Sequence, residues 1–329
     1  MNSERLAIIG GGAWGTALAQ VVASGGRDTL LWAREPEVAD AINSAHENTV
    51  FLPGPKLDPA IRATTELSEA NDCDVWLVVT PAQHMRVVLE QAPPRERALI
   101  LCSKGIDEHS GMLLHDVAQA ACPAAQVAVL SGPTFAHEVA AGLPTAVTLA
   151  AADAAVAEAL RQRIAVPNFR IYLSDDVIGA EIGGAVKNVL AIACGVVEGK
   201  GLGQNARAAM IARGFAEMTR FGLACGARRE TLVGLSGLGD LVLTCSSTSS
   251  RNFSLGKGIG EGRSAAELLA DRRTVAEGAF TAPVLARLAA KRGVDMPIVD
   301  AVDGLLAGRV SVDAVLGQLL ARPPRAESH

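Results

Sequence analysis

A glycine-rich segment near the amino terminus has the spacing of a dinucleotide-binding turn. Gly10 and Gly12 follow the apolar run Leu6–Ile9, and Gly15 lies at the start of a helical pattern over Trp14–Ser24. In such a turn the first glycine permits the sharp bend, the second lets phosphate approach the backbone, and the third allows close packing of helix on strand. The pyrophosphate of the cofactor then lies at the positive end of the helix. The spacing predicts a site for NAD or NADP, although a packing turn without a ligand has a similar composition.

Arg34 occupies the position that distinguishes the two cofactors. It follows the predicted strand Thr29–Ala33, about twenty residues beyond the glycines. NAD-binding proteins usually have an acidic residue there to bind the ribose 2′-hydroxyl, whereas arginine pairs with a 2′-phosphate and stacks on adenine. The sequence therefore predicts NADP, or both forms, as cofactor. The alternative is a solvated arginine beside Glu35.

Lys187 is the strongest candidate for proton transfer. It lies in the apolar helical segment Ile182–Cys194, where Asn188 is its nearest polar neighbour. A buried ammonium needs a carboxylate or a substrate oxygen to offset its loss of hydration. Asp240 is the predicted partner, because the glycines at 234, 237 and 239 should form a tight turn that presents it. The alternatives are a structural ion pair and a lysine that reaches the surface.

Two further groups of residues have the chemistry of a phosphate site. Ser250, Arg251 and Asn252 come directly before a predicted helix, and hydroxyl and guanidinium groups at a helix start suit a phosphate monoester. Lys104 and the segment Ser131–Ala136 each follow a predicted strand, at the edge of the sheet where ligands of α/β proteins bind. Flexible or ordinary loops are the alternatives for each.

The elements that position these residues alternate between strand and helix in the first half of the chain. Continuous apolar runs such as Val75–Val79 indicate strands buried on both faces of a mainly parallel sheet. This alternation predicts a Rossmann-type, doubly wound α/β fold. The predicted strands are Leu6–Ile9, Thr29–Ala33, Asp74–Thr80, Ala98–Ser103, Gln126–Ser131, Thr145–Leu149 and Phe169–Leu173.

Helical periodicity dominates the second half of the chain. Strands end near Ser174, and either Ser174 or Asp175 is predicted to cap a long helix. Apolar residues recur at helical spacing within Asn205–Ala224. We therefore predict a cofactor-binding domain over residues 1–177, an all-helical substrate-binding domain over 178–322, and a disordered tail over 323–329.

Composition excludes several other classes of protein. The 329 residues, 49% of them hydrophobic, suffice for two domains with real cores. A balance of 30 basic and 35 acidic residues, with 3% aromatics, argues against a nucleic-acid partner. Six widely spaced cysteines predict reduced thiols and a cytoplasmic location, and the histidine spacing predicts no metal site. The apolar stretches Leu6–Ala23 and Val177–Val197 contain glycines or charges, so no membrane insertion is predicted.

Taken together, the motifs resemble the bacterial-type NAD(P)-dependent sn-glycerol-3-phosphate dehydrogenases. The resemblance extends from Ile8 to about Gln318. It rests on the segments Gly10–Ala17, Ser103–Gly105, Ser131–Ala136, Gly184–Val189, Gly234–Asp240, Ser250–Asn252 and Val275–Gly278. It implies reduction of dihydroxyacetone phosphate to glycerol 3-phosphate for glycerophospholipid synthesis, by a homodimer.

The resemblance also implies roles for individual residues. Lys187 becomes the general acid and base. Substrate contacts are implied for Lys104, Gly132, Thr134, Lys187, Asp240, Ser250, Arg251 and Asn252. Cofactor contacts are implied for Gly10, Gly12, Ala13, Trp14, Gly15, Arg34, Lys104, Ala136, Arg251, Val275 and Glu277. Ala13 stands where many members have serine, so a hydroxyl contact to cofactor phosphate is lost and the backbone N–H remains.

Two alternative functions stay open on sequence grounds. A related hydroxyacid or ketopantoate-type dehydrogenase also combines such a domain with helices and a lysine, but it would not need the Ser250–Asn252 phosphate site. A regulator that senses NAD(P)H without turnover is the second alternative. Against it stands Lys187, which is costly to bury unless it transfers a proton.

Overall fold

A computed structural model describes residues 5–270 and 275–321 of the chain. The predicted disordered tail, 323–329, lies outside the described residues. The described strands are β1 Leu6–Ile9, β2 Thr29–Trp32, β3 Ile61–Thr64, β4 Val75–Val78, β5 Ala98–Leu101, β6 Gln126–Ser131, β7 Thr145–Ala151 and β8 Phe169–Ser174.

These strands form one sheet in the order β3-β2-β1-β4-β5-β6-β7-β8. Neighbouring strands are parallel except β6 and β7, where Ser131 pairs with Thr148 in antiparallel register. β1, β4 and β5 are buried along their whole length, as expected for strands covered by helices on both faces. The predicted doubly wound, mainly parallel sheet is confirmed. Strand order reverses between β1 and β4, and the crevice at such a switch point is where α/β proteins bind ligands.

The described helices divide into two sets. Those of the first half connect the strands: α1 Ala13–Ser24, α2 Pro36–Ala45, α3 Met85–Leu89, α4 Leu114–Ala121, α5 Ala136–Ala140 and α6 Ala154–Ile164. Those of the second half follow one another without strands: α7 Val177–Gly199, α8 Gly203–Ala224, α9 Arg229–Leu232, α10 Asp240–Thr244, α11 Arg251–Gly260, α12 Ala265–Leu268, α13 Glu277–Lys291, α14 Pro297–Leu306 and α15 Val312–Ala321. Short 3₁₀ turns cover Leu67–Asp72 and Ala82–His84, and a π-helical turn covers Leu235–Gly239.

Helix α7 is the central element of the helical half. Within the described residues it is the one helix long and apolar enough to cross a membrane, yet 89% of that apolar window is buried inside the protein. The predicted cap at Ser174 or Asp175 is wrong. Asp176 caps the helix, because its Oδ1 accepts the N–H of Gly179 at 2.8 Å and its Oδ2 accepts the N–H of Arg228 at 2.8 Å.

Close backbone contact holds α7 against α11. A Cβ on Gly195 would lie 2.1 Å from the carbonyl oxygen of Phe253, and one on Gly256 would lie 1.9 Å from that of Ile192. Side chains at either position would push the helices apart. Tight packing here fixes the start of α11 relative to the middle of α7, which is where Lys187 lies.

The change from alternating elements to helices falls between the end of β8 and the start of α7. However, α7 packs on β6 and β7 of the sheet as well as on α8 and α11. The domain boundary at 177/178 therefore stays a prediction.

Candidate active site

The glycine turn presents unused backbone donors at the start of α1. Gly10 has a φ of +131°, and a Cβ there would lie 3.0 Å from the carbonyl carbon and oxygen of Val79, the residue after β4. A Cβ on Gly15 would lie 1.8 Å from the carbonyl oxygen of Gly10, whereas one on Gly12 would meet nothing within 4 Å. No side chain caps the helix at Gly12. The open face at Gly12 and the free first-turn N–H groups fit a cofactor pyrophosphate.

Lys187 and Asp240 form the expected buried ion pair. The Nζ of Lys187 lies 2.8 Å from Oδ1 of Asp240, whose side chain has 0% exposure. The second carboxylate oxygen, Oδ2, lies 2.6 Å from Nζ of Lys104. The Lys187 ammonium also donates to Oγ1 of Thr244 at 2.8 Å. One carboxylate thus lies between two ammonium groups, which leaves the cluster with a net positive charge when both lysines are protonated.

Burial and neighbouring charges shift the pKa values of this cluster. Burial lowers the pKa of Lys187 to about 8, although Asp240 acts in the opposite direction. Burial alone would raise the pKa of Asp240, but Lys104 and Lys187 outweigh it and hold the pKa below its usual value. A lysine with a pKa near 8 can both donate and accept a proton under physiological conditions.

A wide helical turn, rather than the predicted tight turn, presents Asp240. Leu235–Gly239 forms a π-helical turn that continues into α10 at Asp240. A Cβ on Gly183 of α7 would lie 2.4 Å from the carbonyl oxygen of Ser236, so the glycine allows this turn to lie directly against α7. π-helical turns are rare and are found often at functional sites. Here the turn aims the carboxylate of Asp240 at Lys187.

The loops after β5 and β6 complete this side of the cleft. The Nζ of Lys104 donates to the carbonyl oxygen of Gly132 at 3.0 Å, and the Thr134 hydroxyl donates to the same oxygen at 3.3 Å. Gly132 has a φ of +155°, and a Cβ there would lie 2.9 Å from the Cα of Val147. A Cβ on Gly184 of α7 would lie 3.2 Å from Cγ of Lys104, so the glycine makes room for the lysine stem.

The predicted phosphate site lies at the start of α11. Ser250 is the N-cap, and its Oγ accepts the N–H of Phe253 at 3.2 Å. Asn252 is buried: its Nδ2 donates to Oδ1 of Asn188 at 3.0 Å, and its Oδ1 accepts the N–H of Gly278 at 2.9 Å. Asn252 therefore ties α11 to α7 and α13. Arg251 is exposed and has no hydrogen bond or ion pair within the part of the chain that the structure describes.

Glu277 presents an unused hydrogen-bond acceptor near Arg251. Its Oε1 accepts the N–H of Ala82 at 3.2 Å, whereas its buried Oε2 has no partner among the described residues. Burial raises the pKa of Glu277 to about 7, although the Ala82 N–H and the charge of Arg251 lower it. Val275, which is half-buried, lies two residues before it. The unpaired oxygen fits a hydroxyl or amide donor of a bound cofactor.

Comparisons with known proteins identify the family of this chain. The family model for the NAD-dependent glycerol-3-phosphate dehydrogenase N-terminus matches residues 5–157, and that for the C-terminus matches residues 176–317. The glycerol-3-phosphate dehydrogenase [NAD(P)+] of Erythrobacter litoralis is 66% identical over 327 residues, which cover 99% of this chain and 98% of the relative. The chain belongs to the NAD-dependent glycerol-3-phosphate dehydrogenase family. It is therefore an oxidoreductase that uses NAD or NADP.

Solved structures separate the family from other enzymes with the same fold. The glycerol-3-phosphate dehydrogenase of Coxiella burnetii has a TM-score of 0.92 and 36% identity, and the match covers 97% of this chain and 99% of that one. A ketopantoate reductase from Ralstonia eutropha has a TM-score of 0.61 and 15% identity, over 92% of this chain and 97% of that one. The second likeness shows the fold alone, so the ketopantoate-type alternative is not favoured.

Sequence reasoning missed two side chains of the site. Thr244 lies one helical turn after Asp240, and its hydroxyl lies between Lys187 and Oδ1 of Asp240, 3.2 Å from the latter. Asn188 anchors Asn252. The spacing of four residues from Asp240 was the available signal for Thr244. Among the described residues no group of three His, Cys, Asp or Glu side chains could hold a metal ion.

Two further predicted cofactor contacts, Ala136 and Arg34, lie on other elements. Ala136 is the first residue of α5. Arg34 follows β2, and its side chain is 76% exposed and pairs with Glu35 at 2.9 Å. This geometry fits both the 2′-phosphate site and the solvated arginine, so the role of Arg34 stays a prediction.

Replacing Arg34 by aspartate tests that role. We expect Arg34→Asp to shift the ratio of kcat/KM for NADPH and NADH toward NADH by at least about tenfold, mostly through KM. A carboxylate would repel the 2′-phosphate and accept a hydrogen bond from the ribose hydroxyl. Steady-state kinetics with each cofactor measures the ratio. An unchanged ratio would assign Arg34 to the solvated surface.

Proposed function

We propose that this chain catalyses the reversible NAD(P)H-dependent reduction of dihydroxyacetone phosphate to sn-glycerol 3-phosphate, which supplies glycerophospholipid synthesis. One observation carries the proposal. Two of the three N–H groups of the Lys187 ammonium are bound by Asp240 and Thr244, and the third has no partner among the described residues. A buried donor of this kind, at the carboxyl edge of a nucleotide-binding sheet, suits a substrate carbonyl oxygen.

Each residue of the cluster has a part in this reaction. The nicotinamide, when bound, supplies the hydride that goes to the carbonyl carbon. Lys187 donates a proton to the carbonyl oxygen as it becomes an alcohol, and the resulting neutral amine regains a proton from water. Asp240 and Thr244 orient the ammonium, while the charge of Lys104 stabilises negative charge that develops on the substrate. In the oxidative direction neutral Lys187 removes the hydroxyl proton.

The remaining residues bind and position the small substrate. Arg251 at the start of α11 is suited to the phosphate group, because its guanidinium has no partner among the described residues and the helix start adds backbone donors. Gly132 and Thr134 form the neighbouring wall, since the Gly132 carbonyl oxygen accepts hydrogen bonds from both Lys104 and Thr134. Binding the phosphate at a fixed distance from Lys187 places the carbonyl for reaction, which accounts for substrate selectivity.

Replacing Arg251 by alanine tests the substrate class. We expect kcat/KM for dihydroxyacetone phosphate to fall by at least about tenfold, since a charge-assisted bond to phosphate is worth ~1.5–3 kcal/mol. The same change should matter much less for unphosphorylated dihydroxyacetone, a poor substrate in any case. Kinetics with both ketones, together with NADPH affinity, measures the difference.

Arg263→Ala is the matched control. Arg263 follows α11, is exposed and pairs with Glu267, so its loss should leave both ketones unaffected. Equal losses for the two ketones in Arg251→Ala, at unchanged NADPH affinity, would show that Arg251 does not bind the phosphate.

A homodimer, a cytoplasmic location, and the absence of nucleic-acid and membrane partners also belong to this proposal. Exposed apolar side chains such as Leu202 and Leu223, next to and within α8, support an interface between copies of the chain. Six free cysteines support a reducing compartment. Light scattering after gel filtration measures the oligomeric state.

A further inference from the structure

Asn48 is a buried polar side chain that the proposed reaction does not use. It lies between α2 and β3, and it is 1% exposed. Its Oδ1 accepts the N–H of Phe51 at 3.0 Å, so its Nδ2 faces the other way. That Nδ2 donates to the carbonyl oxygen of Gly11 at 2.8 Å and to Oγ1 of Thr16 at 2.8 Å. Both N–H groups of the amide are therefore bound, and they connect the segment after α2 to the glycine turn and the first turn of α1.

These contacts fix the direction of one backbone carbonyl in the glycine turn. Thr16 is 0% exposed, and its hydroxyl donates a second, longer bond of 3.4 Å to the same oxygen of Gly11. A Cβ on Gly11 would lie 2.5 Å from that of Ala33, so the turn also lies directly against the residue after β2. The carbonyl of Gly11 is thus held among buried groups, away from the open face at Gly12.

The direction of this carbonyl sets the direction of a neighbouring donor. The peptide bond is planar and trans, so the N–H of Gly12 points opposite to the C=O of Gly11. A carbonyl that is held in the interior therefore leaves this N–H directed outward, at the start of α1, where N–H groups bind phosphate. If the peptide rotated by half a turn, it would present a carbonyl oxygen instead, which repels phosphate.

We propose that Asn48 is a positioning residue for the cofactor: it holds the Gly11 carbonyl inward and thereby keeps the Gly12 N–H available to the pyrophosphate. Asn48 does not touch the cofactor itself, since its side chain is buried beneath the turn. The inference rests on the pyrophosphate lying at the glycine turn, and it does not depend on which ketone is reduced. Because NAD and NADP share the pyrophosphate, Asn48 serves both cofactors equally, whereas Arg34 is predicted to distinguish them.

Asn48→Asp tests this role. The substitution keeps the shape of the side chain and the acceptor for the Phe51 N–H, and it replaces the donor to Gly11 by an oxygen that repels the carbonyl. Fluorescence titration in the absence of ketone should show higher Kd values for NADPH and NADH. Both should rise by the same factor, at least about tenfold, since a charge-assisted bond to phosphate is lost. At saturating NADPH, kcat and the KM for dihydroxyacetone phosphate should stay at wild-type values, because the Lys187 cluster is unchanged.

Asn43→Asp is the matched control in the same half of the chain. Asn43 on α2 also holds backbone groups: its Nδ2 donates to the carbonyl oxygen of Ala63 at 2.9 Å, and its Oδ1 accepts the N–H of Ala63 at 2.8 Å. The same substitution there should lower the melting temperature and leave both Kd values unchanged. Asn48→Ala is the second variant, which removes the donor without burying a charge. It should also raise both Kd values at unchanged kcat.

Gly12→Ala tests separately whether the pyrophosphate lies at this turn. A Cβ on Gly12 would meet nothing within 4 Å, and the residue has a φ of −68°, so the fold accepts alanine. The methyl group would occupy the open face, and the Kd values for both cofactors should rise. Wild-type affinity in Gly12→Ala would contradict the placement of the pyrophosphate, and the role of Asn48 would fall with it.

Three other outcomes would overturn the role of Asn48 alone. The first is wild-type affinity in both Asn48 variants while Gly12→Ala binds weakly. The second is an equal rise of Kd in Asn48→Asp and Asn43→Asp, which would assign the effect to lost stability. The third is a change in the ratio of NADPH to NADH affinity, which would place the effect at the adenosine end. None of them bears on the reaction proposed for Lys187, because the titrations contain no ketone.

Discussion

Lys187→Ala should lower kcat for dihydroxyacetone phosphate reduction by roughly 10²–10⁴-fold, the usual range for a general acid. The substitution removes the donor that protonates the carbonyl oxygen, while Asp240 keeps its second partner, Lys104. Cofactor binding should be largely unchanged, because the glycine turn at α1 is separate from this cluster. Stopped-flow or steady-state absorbance of NADPH measures kcat, and fluorescence titration measures NADPH affinity.

Lys200→Ala provides the comparison. Lys200 follows the end of the same helix and forms an ion pair with Asp313 at 2.7 Å. The substitution therefore removes a lysine charge without changing the Lys187–Asp240 cluster. Its kcat should equal that of the wild type. Activity of Lys187→Ala within tenfold of the wild type would exclude Lys187 as the proton donor.

The sequence predicts the elements whose signal is local. The glycine turn, the long apolar helix and the pairing of Lys187 with Asp240 follow from residue type and spacing, because a charge within an apolar helix requires a partner. β3 is missed, since Ile61–Thr64 is short and Ile61 is its one large apolar residue. Its place at the edge depends on pairing with β2, which composition does not encode.

Other features depend on contacts between distant segments. The N-cap at Asp176 is selected by a second bond to the N–H of Arg228, which no local rule predicts. Thr244 contacts Lys187 because α10 begins at Asp240 and places the side chains of Asp240 and Thr244 one helical turn apart. Contacts of this kind are visible in the fold and not in the sequence.

The Lys187 cluster also sets the pH dependence of the reaction. Reduction needs protonated Lys187, whose pKa is about 8, so kcat/KM for the ketone should fall as the pH rises through that value. Oxidation of glycerol 3-phosphate needs the neutral amine and should rise over the same interval. Asp240 raises the pKa of Lys187, and Lys104 lowers it. The carboxylate therefore keeps the lysine protonated at neutral pH.

Asp240→Asn should remove the negative charge that keeps Lys187 protonated, and it should lower kcat/KM for reduction by roughly 10²-fold at pH 7. Breaking a buried ion pair by removing one partner costs about 3–5 kcal/mol, and one pKa unit corresponds to ~1.4 kcal/mol. Part of that free energy should appear as a lower pKa of Lys187. The rest should appear as a lower free energy of unfolding, since Lys104 loses the same partner. The alkaline limb of the pH profile should move from about 8 to lower pH, with a lower melting temperature.

Asp313→Asn separates the effect of burial from that of losing any lysine partner. The carboxylate of Asp313 is 80% exposed and pairs with Lys200, so water and salt replace most of the interaction when it is lost. Its pH profile and melting temperature should equal those of the wild type. If the alkaline limb of Asp240→Asn stays where it is in the wild type, the carboxylate only positions Lys187 and does not hold its proton.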